Sequence, residues 1–341
     1  MSLTTAGVES MLNRWATVRG AQRIADVVPM PGNAGLSFGF TLHEAGGAHR
    51  RLVIRLAPPG VRRRGNTDVL RQVPLLRELD RLAPFPVAAV HWWGTDADEF
   101  GTDAFISELL PGRPLHMTSA ALSCPTPQGP VPLLERAVDA LAGLHQIPLP
   151  EALRNWDTPA SASDDIAAAI SLLDRSHDDD ARALCEPLAD RLQESVPEGV
   201  AVGLRHGDFQ TNNVLFHDGE VSGVVDWELT GIGPQLLDLG WLIMMTDRRC
   251  WDPEYAETIR ATADPRHLIQ RYAQASDTAR PEHVEWFTGL ACLRFAGIIA
   301  YNLRLHREGK RTDAYYEVLA RSLPRLVGRG HASCSAAGST R

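Results

Sequence analysis

The feature that most constrains the fold is a change of hydrophobic pattern at residues 111–114, which read PGRP. Before them, one helical segment over residues 8–18 is followed by short β-compatible runs separated by glycine and proline turns. After them, apolar residues recur mainly at helical spacing. This segregation predicts an α+β fold with a small β-rich N-terminal lobe and a larger, mainly helical C-terminal lobe.

The same pattern predicts the domain boundaries. Residues 1–109 are expected to form the N-terminal lobe, from a helix and an antiparallel sheet, and residues 110–326 the helical C-terminal lobe. Residues 327–341 are rich in Gly, Ser and Ala and have little apolar content, so we predict a disordered tail there.

Charge and composition narrow the class of protein. A net charge of −8 disfavours a nucleic-acid partner, which usually binds a basic surface. No run approaches the roughly 20 uncharged apolar residues of a membrane span, and the N-terminus lacks the pattern of a signal peptide. The five isolated cysteines form neither a disulfide pattern nor a zinc pattern. We therefore expect a cytoplasmic protein without a membrane partner; no pattern specifies its oligomeric state.

The densest group of chemically useful side chains follows a short strand-like run. It comprises His206, Asp208 and Asn213, and a predicted hairpin over residues 214–225 leads from there to Asp226. Phosphoryl transfer needs a carboxylate that accepts the proton of an attacking hydroxyl, and oxygen ligands for Mg²⁺. We predict Asp208 as the catalytic base and Asn213 and Asp226 as magnesium ligands, with the hairpin returning Asp226 beside the loop.

These residues carry a family resemblance. Residues 206–213, HGDFQTNN, match the H-G-D-x-x-x-x-N pattern of the aminoglycoside phosphotransferase and choline kinase superfamily, which the chain resembles over about residues 20–325. Residues 233–240 (GPQLLDLG) and 142–145 (AGLH) are also similar to family segments. The resemblance implies a protein-kinase-like two-lobed fold, with Mg²⁺ and ATP or GTP between the lobes and a small-molecule hydroxyl as the acceptor.

Three polar residues near the motif are expected to support it. Asp238, an acid at the start of a buried helix, should brace the His206–Asp208 loop by hydrogen bonds. His206 is likewise interpreted as bracing the loop, not as a base. His145, at the end of an apolar helix, is interpreted as a core histidine with satisfied hydrogen bonds.

The resemblance also implies nucleotide-binding positions in the N-terminal lobe. Residues 32–39 read GNAGLSFG and correspond to a loop over the nucleotide phosphates, where backbone N–H groups can approach closely. Residues 108–110 correspond to the hinge that reads the adenine edge through its backbone. The residues predicted from these two segments are Gly32, Asn33, Gly35, Ser37, Glu108 and Leu110.

Two positions depart from the family pattern. The family usually has a Lys on the third strand, paired with a helix Glu; this chain has Arg55 and Gln72 there, with Glu78 on another helix face. The only lysine is Lys310, so any other fixed cation must be an arginine. A guanidinium can hold phosphate oxygens bidentately, so Arg55 is predicted to bind the nucleotide phosphates.

Alternative functions remain at this level. Residues 35–39 (GLSFG) match the nucleophile motif of esterases, but a strand pattern follows where that motif needs a helix. A catalytically inactive nucleotide-binding module is suggested by Arg55 and Gln72, although such a module has no need of Asp208, Asn213 and Asp226.

For the acceptor, acidic residues in the C-terminal lobe would suit an aminoglycoside. The sequence around Arg55, residues 58–60 and residues 226–228 looks closer to kinase-like modules associated with acyl-CoA dehydrogenases. This resemblance favours a hydroxyacyl compound or another metabolite as the acceptor.

Overall fold

The computed structural model describes residues 4–21, 23–30, 36–58, 60, 63, 65–82, 85–95, 97–118, 129–277 and 281–338. Contacts divide the chain into two compact units, which we call unit 1 and unit 2. Unit 1 comprises Met1–Pro111, Pro150–Arg154 and Ser222–Leu229, and unit 2 comprises Gly112–Leu149, Asn155–Val221 and Thr230–Arg341.

Unit 1 is built on a five-stranded antiparallel sheet with strand order β1-β2-β3-β5-β4. Its elements in chain order are α1 (Thr5–Val18), β1 (Arg23–Pro29), β2 (Leu36–His43), β3 (His49–Leu56), α2 (Gln72–Arg81), β4 (Val90–Gly94), α3 (Ala97–Phe100) and β5 (Ala104–Glu108).

Residue alternation along the strands decides which face of the sheet is buried. Leu52, Ile54 and Leu56 of β3 are at most 1% exposed, and they pack with α1 in one hydrophobic cluster. Since successive side chains of a strand point to opposite faces, Arg55 lies on the other face of the sheet. The period-2 pattern therefore places a cation on the face away from the α1 core.

The segment Ser222–Leu229 belongs to unit 1, although the predicted domain boundaries put it in the C-terminal lobe. The Val224 N–H donates to the Pro86 carbonyl over 2.8 Å, and the Ser222 hydroxyl donates to the Pro111 carbonyl over 2.6 Å. The ring of Trp227 packs edge-to-face on Phe85 at 5.9 Å. The assignment was wrong because these contacts join residues more than 100 positions apart, which no local pattern records.

Unit 2 is mainly helical, with short strands around the predicted catalytic loop. Its elements are β6 (Arg113–Pro114), α4 (Val131–Gln146), α5 (Ala162–Asp174), α6 (Asp179–Glu194), β7 (Val202–Arg205), β8 (Val214–His217), β9 (Glu220–Val224, which continues into unit 1), β10 (Gly231–Pro234), α7 (Leu236–Thr246), α8 (Pro253–Thr258), α9 (Pro265–Ala275), α10 (Val284–Arg307), α11 (Tyr315–Ala320) and α12 (Leu323–Gly338). Strands β6, β8 and β9 form one sheet in that order, and β7 pairs with β10.

Helix α10 is the central helix of unit 2, where it packs against α5, α7 and α12. With 24 residues it is long and apolar enough to cross a membrane, and 72% of its apolar window is buried inside the structure. Its packing inside unit 2 is sufficient to explain its length and apolar character, as expected for a core helix.

The C-terminal segment is helical up to Gly338, so the predicted disorder is wrong for residues 327–338. Its small residues permit close packing, which the low apolar content had concealed. A Cβ at Gly330 would lie 2.6 Å from Leu188, and a Cβ at Gly289 would lie 2.8 Å from the Cys334 sulfur. Cys334 is only 5% exposed. Helix α12 therefore contributes to the core through Leu326 and Val327 at its start and through small residues that fit closely further along.

Candidate active site

The loop after β7 is held by a buried carboxylate. Asp238 is fully buried at the start of α7, and its two oxygens accept the backbone N–H groups of His206 (2.6 Å) and Gly207 (2.8 Å). Gly207 has a φ of +84°, a conformation that favours glycine. These are the bracing hydrogen bonds expected of Asp238, and they set the course of the chain into Asp208.

The charge of Asp238 is stabilised inside the protein. Burial acts to raise the pKa of this carboxyl, but the hydrogen bond and charge of His145, the charge of His206 and the Gly207 N–H outweigh burial and lower the pKa below its usual value. His145 Nε2 lies 3.3 Å from Asp238, and its Nδ1 lies 2.8 Å from the Tyr272 hydroxyl. His145 is thus a buried histidine with both ring nitrogens satisfied, as its position in the sequence indicated.

Asp208 is oriented by neutral hydrogen-bond donors. Its Oδ1 accepts the indole N–H of Trp241 over 2.9 Å, and the Gln210 amide donates to both carboxylate oxygens over 2.9 and 3.0 Å. Its backbone N–H donates to His206 Nδ1 over 3.3 Å, which assigns the buried His206 side chain to the loop. The carboxylate is only partly buried. It therefore has a set direction and is not sealed from solvent.

Asn213 is brought to Asp208 by a short 3₁₀ turn, Thr211–Asn213, at the entrance to β8. Its Nδ2 donates to the Asp208 carbonyl over 2.9 Å and to Asp208 Oδ2 over 3.0 Å. Because the amide nitrogen faces Asp208, the amide oxygen is the atom that remains for a cation. The structure thus brings the predicted base and one predicted metal ligand into direct contact.

Asp226 is presented by unit 1, at the end of the predicted hairpin. The hairpin turn has positive φ at Asp218 (51°) and Gly219 (84°), as the residue types indicated. Asp226 itself has a φ of +67°, uncommon for a residue other than glycine and found preferentially at functional positions. That the hairpin returns Asp226 beside the loop stays a prediction.

Arg55 is held by two carboxylates that follow β9. Its Nη1 and Nη2 both lie 3.2 Å from Asp226 Oδ1, and Nη2 also donates to Glu228. Gln72 is buried at the start of α2, and its Nε2 has no hydrogen-bond partner in the described part of the chain. Glu78 pairs instead with Arg81, at 2.8 Å. The usual strand–helix ion pair is therefore replaced by an Arg55 pair with Asp226 and Glu228.

The other predicted nucleotide-binding residues fall into two groups. Ser37 lies in β2 directly opposite Arg55 in the register. Glu108 ends β5 with its side chain exposed and its Oε1 3.4 Å from His91, and the half-buried Leu110 lies against Gly223. Gly32, Asn33 and Gly35 lie outside the described residues.

The donor atoms at Asn213 and Asp226 are of the type that magnesium prefers. An amide oxygen and a carboxylate are hard ligands, and Mg²⁺ usually takes only one or two from a protein and the rest from phosphate and water. Among the described residues, no group of three or more His, Cys, Asp or Glu is arranged to hold a metal by itself. Each of these two donors, taken by itself, is therefore of a type that suits an ion arriving with a nucleotide.

Four residues of these sites were not predicted from the sequence. They are Gln210, Trp241, Glu228 and Arg294, the last of which lies against the Trp241 ring. Gln210 lies inside the recognised motif. Trp241 follows Asp238 by three positions on a helix, which puts both on one face toward the loop, so a signal was present. Glu228 and Arg294 gave no comparable sequence signal.

Comparisons with known proteins identify the family of the chain. A family model described as "Phosphotransferase enzyme family" matches residues 33–275, more than two thirds of the chain. The "Probable acyl-CoA dehydrogenase IBR3" of Arabidopsis thaliana is 28% identical over 211 residues, which are 59% of this chain and 25% of that protein. The chain thus spans a quarter of the length of this curated relative.

Two solved structures share the fold. A "putative aminoglycoside phosphotransferase" from Ralstonia eutropha has a TM-score of 0.75 at 18% identity, covering 96% of this chain and 98% of the other. A thermostable mutant of aminoglycoside phosphotransferase APH(4)-Ia, crystallised with ADP and hygromycin B, has a TM-score of 0.61 at 16% identity, with the same coverage. These likenesses confirm the predicted kinase-like fold.

Proposed function

The chain belongs to the phosphotransferase enzyme family and is a small-molecule kinase, and we propose that it transfers the γ-phosphate of a magnesium nucleotide to a hydroxyl of a metabolite. The observation that carries this proposal is the oriented Asp208 carboxylate, with Asn213 bound to it. Its two oxygens accept the N–H donors of Trp241 and Gln210, which fix the direction of the carboxylate. A base held in this way can accept a hydrogen bond from a hydroxyl.

Asp208 is the proposed base of the reaction. The acceptor hydroxyl donates a hydrogen bond to its carboxylate, which directs the hydroxyl oxygen toward the γ-phosphorus and accepts the proton as the new P–O bond forms. The bond between the γ-phosphorus and the β,γ-bridging oxygen breaks, and the nucleoside diphosphate leaves with that oxygen. Its hydrogen bonds from neutral donors fix the direction of the carboxylate, and such alignment is a large part of catalysis in phosphoryl transfer. Asp238 acts through the backbone of the same loop and is a positioning residue.

Arg55, Asn213 and Asp226 are proposed to hold the magnesium nucleotide. Asn213 and Asp226 supply oxygen ligands, and bound magnesium supplies charge neutralisation of the phosphate oxygens. Arg55 exchanges a carboxylate partner for a phosphate oxygen when the nucleotide binds, because both are anions that a guanidinium fork can hold. Ser37, Glu108, Leu110, Gly32, Asn33 and Gly35 are proposed as further nucleotide contacts. Either ATP or GTP fits this arrangement.

A hydroxyacyl compound is the favoured acceptor class. The supporting observation is the similarity to a relative named as a probable acyl-CoA dehydrogenase, in which a kinase-like segment would accompany an acyl-processing enzyme. Crystallisation of a fold neighbour with hygromycin B supports an antibiotic as the second candidate.

The test is nucleotide-dependent phosphate transfer across a panel of hydroxylated compounds containing aminoglycosides, macrolides, choline and hydroxyacyl-CoA esters. Wild type is expected to phosphorylate one class, and Asp208→Ala to lose that turnover. Absence of transfer to every class, together with nucleotide binding that does not depend on magnesium, would overturn the proposal in favour of the non-catalytic nucleotide-binding alternative.

A further inference from the structure

An arginine without a counterion lies close to the proposed base. Arg294 is on α10, and its guanidinium carbon is 5.4 Å from the centre of the Trp241 ring, the same indole that donates to Asp208. Its Nη1 is buried and has no hydrogen-bond partner among the described residues, although the side chain as a whole is only partly buried. The buried Nη1 is thus a hydrogen-bond donor that no described residue satisfies.

The neighbouring carboxylates are already engaged by other groups. Asp165 binds Arg205, with Nη2 to Oδ1 at 2.8 Å. Asp238 binds the backbone of the catalytic loop, and Asp208 accepts the donors described above. In the described part of the chain no carboxylate lies within ion-pair distance of Arg294. Its positive charge is therefore uncompensated by a direct partner.

The electrostatic surroundings of Arg294 should lower the stability of the protein when no ligand is bound. Burial lowers the pKa of Arg294 and the charge of Arg205 lowers it further, and these two effects outweigh the opposing charges of Asp165, Asp208 and Asp238. A desolvated cation without a partner destabilises a fold, and it is more easily explained when a ligand supplies the missing anion.

A second arginine contacts the same helix. Asn302 follows Arg294 by eight residues on α10, which is about two turns and about 12 Å along the helix. Arg311 Nη1 donates to Asn302 Oδ1 over 3.0 Å, and the Arg311 guanidinium carbon lies 5.8 Å from the centre of the Tyr316 ring. Arg311 also has no carboxylate partner among the described residues.

We propose that Arg294, assisted by Arg311, binds an anionic group of the acceptor beside Asp208, so that the acceptor is a hydroxylated compound carrying a carboxylate or phosphate and not a polycation. This inference rests on the proposed function, since it names the substrate class of that same site. Two guanidiniums that have no carboxylate partner among the described residues, one of them against the indole that binds Asp208, would repel the ammonium groups of an aminoglycoside and attract an anion. Arg294 is a specificity residue in this proposal, because it selects the acceptor without taking part in proton transfer.

The first measurement is equilibrium binding by calorimetry, without nucleotide, of hydroxyhexanoate, hydroxyhexanoyl-CoA and the uncharged hydroxyhexanamide. Wild type is expected to bind at least one anionic probe more tightly than the amide, and the two anionic probes separate a carboxylate from a phosphate as the recognised group. Arg294→Gln should weaken that binding roughly 10- to 100-fold, the usual effect of losing a charge-assisted hydrogen bond. Arg294→Lys should retain part of it, and Arg311→Gln should cause a smaller loss.

The matched control is Arg325→Gln, which removes an exposed arginine of α12. A thermal unfolding scan of each variant shows that it is folded, and Arg294→Lys keeps the test valid if Arg294→Gln is not. Equal binding by wild type and Arg294→Gln, or no binding of either anionic probe by wild type, would overturn the inference.

Phosphate transfer to the same three compounds separates this inference from the proposed function. Transfer to the anionic compound, with a KM raised by Arg294→Gln and an unchanged KM for the nucleotide, supports both. Transfer to the amide or an aminoglycoside with a KM insensitive to Arg294→Gln would overturn the inference and leave the function. Binding that depends on Arg294, without any transfer to a hydroxyl, would overturn the function alone.

Discussion

The loop that carries Asp208 in unit 2 and the Arg55 group in unit 1 differ in the charge of the groups that surround their central side chain. In the loop, the carboxylate of Asp208 is surrounded by neutral N–H donors from Trp241, Gln210 and Asn213. In unit 1, the cation Arg55 is surrounded by the anions Asp226 and Glu228. The first arrangement sets a direction, and the second balances charge.

This difference matches two kinds of chemical work. A fixed cation hydrogen-bonded to a base would favour its ionised form and weaken it as a proton acceptor, whereas neutral donors orient it with less effect. A phosphate-binding cation and a metal-binding acid, by contrast, need partners only until a magnesium nucleotide replaces them. We therefore expect the loop to be sensitive to changes of geometry, and the Arg55 group to be sensitive to changes of charge.

Substitution of the base should have the largest effect. Asp208→Asn keeps the size of the side chain but removes the proton acceptor, so kcat for phosphate transfer should fall about 100- to 10,000-fold, the range for loss of a general base. Steady-state kinetics with a fixed acceptor measures this. Asp218→Asn, at the exposed hairpin turn, is the matched control and should retain full activity. A fall of less than tenfold for Asp208→Asn would contradict the assignment of the base.

Substitution of the bracing carboxylate should destabilise the fold. Asp238→Asn places an amide NH₂ against backbone N–H donors in a fully buried site, which should lower the free energy of unfolding by about 3 kcal/mol. Chemical denaturation measures the change, and Asp190→Asn, exposed on α6, is the control. If the two variants are equally stable, the loop does not depend on Asp238.

The stability difference between wild type and Asp238→Asn should depend on pH in a defined direction. The pKa of Asp238 is lowered in the folded protein, from an unfolded value of about 3.9, so its contribution is fully present above about pH 4. It should be lost as the pH falls through the lower, folded-state pKa. Denaturation at pH 7, 5, 4 and 3 checks this; a difference that disappears between pH 7 and 5 would be inconsistent with it.

Substitution of Arg55 should have the smallest effect, and it separates charge from geometry. Arg55→Lys keeps the charge and should raise the nucleotide KM less than about tenfold, whereas Arg55→Met should raise it about 10- to 100-fold through loss of charge-assisted hydrogen bonds. The control is Arg51→Met, on the same strand and face but exposed. Equal KM values for Arg55→Lys and Arg55→Met would show that charge is not what Arg55 contributes.

Local patterns predicted much of what positions the site. The residue types at 217–219 predicted the hairpin that ends before Asp226, and alternation in β3 explains why Arg55 lies opposite the apolar core. Both features depend on residues that are neighbours in sequence, so a linear pattern contains the necessary information. The bracing role of Asp238 was expected from an acid at the start of an apolar helix, but its contact joins residues 32 positions apart.

Tertiary contacts decided the rest, because they join residues that are distant in sequence. The pairing of Arg55 with Asp226 and Glu228 spans more than 170 positions, and it replaces a strand–helix pair that Gln72 does not form. Helix α12 is ordered because its small residues match grooves on α6 and α10, a matter of shape that composition does not reveal. The sequence does not show that Arg294 lacks a carboxylate partner among the described residues, because this depends on which groups bind the neighbouring carboxylates. Motifs and periodicity in the sequence were thus sufficient to predict the family and the two-part architecture and to nominate Asp208 as the base, because they are local. Which charges are paired depends on contacts between distant residues, and only the folded chain shows them.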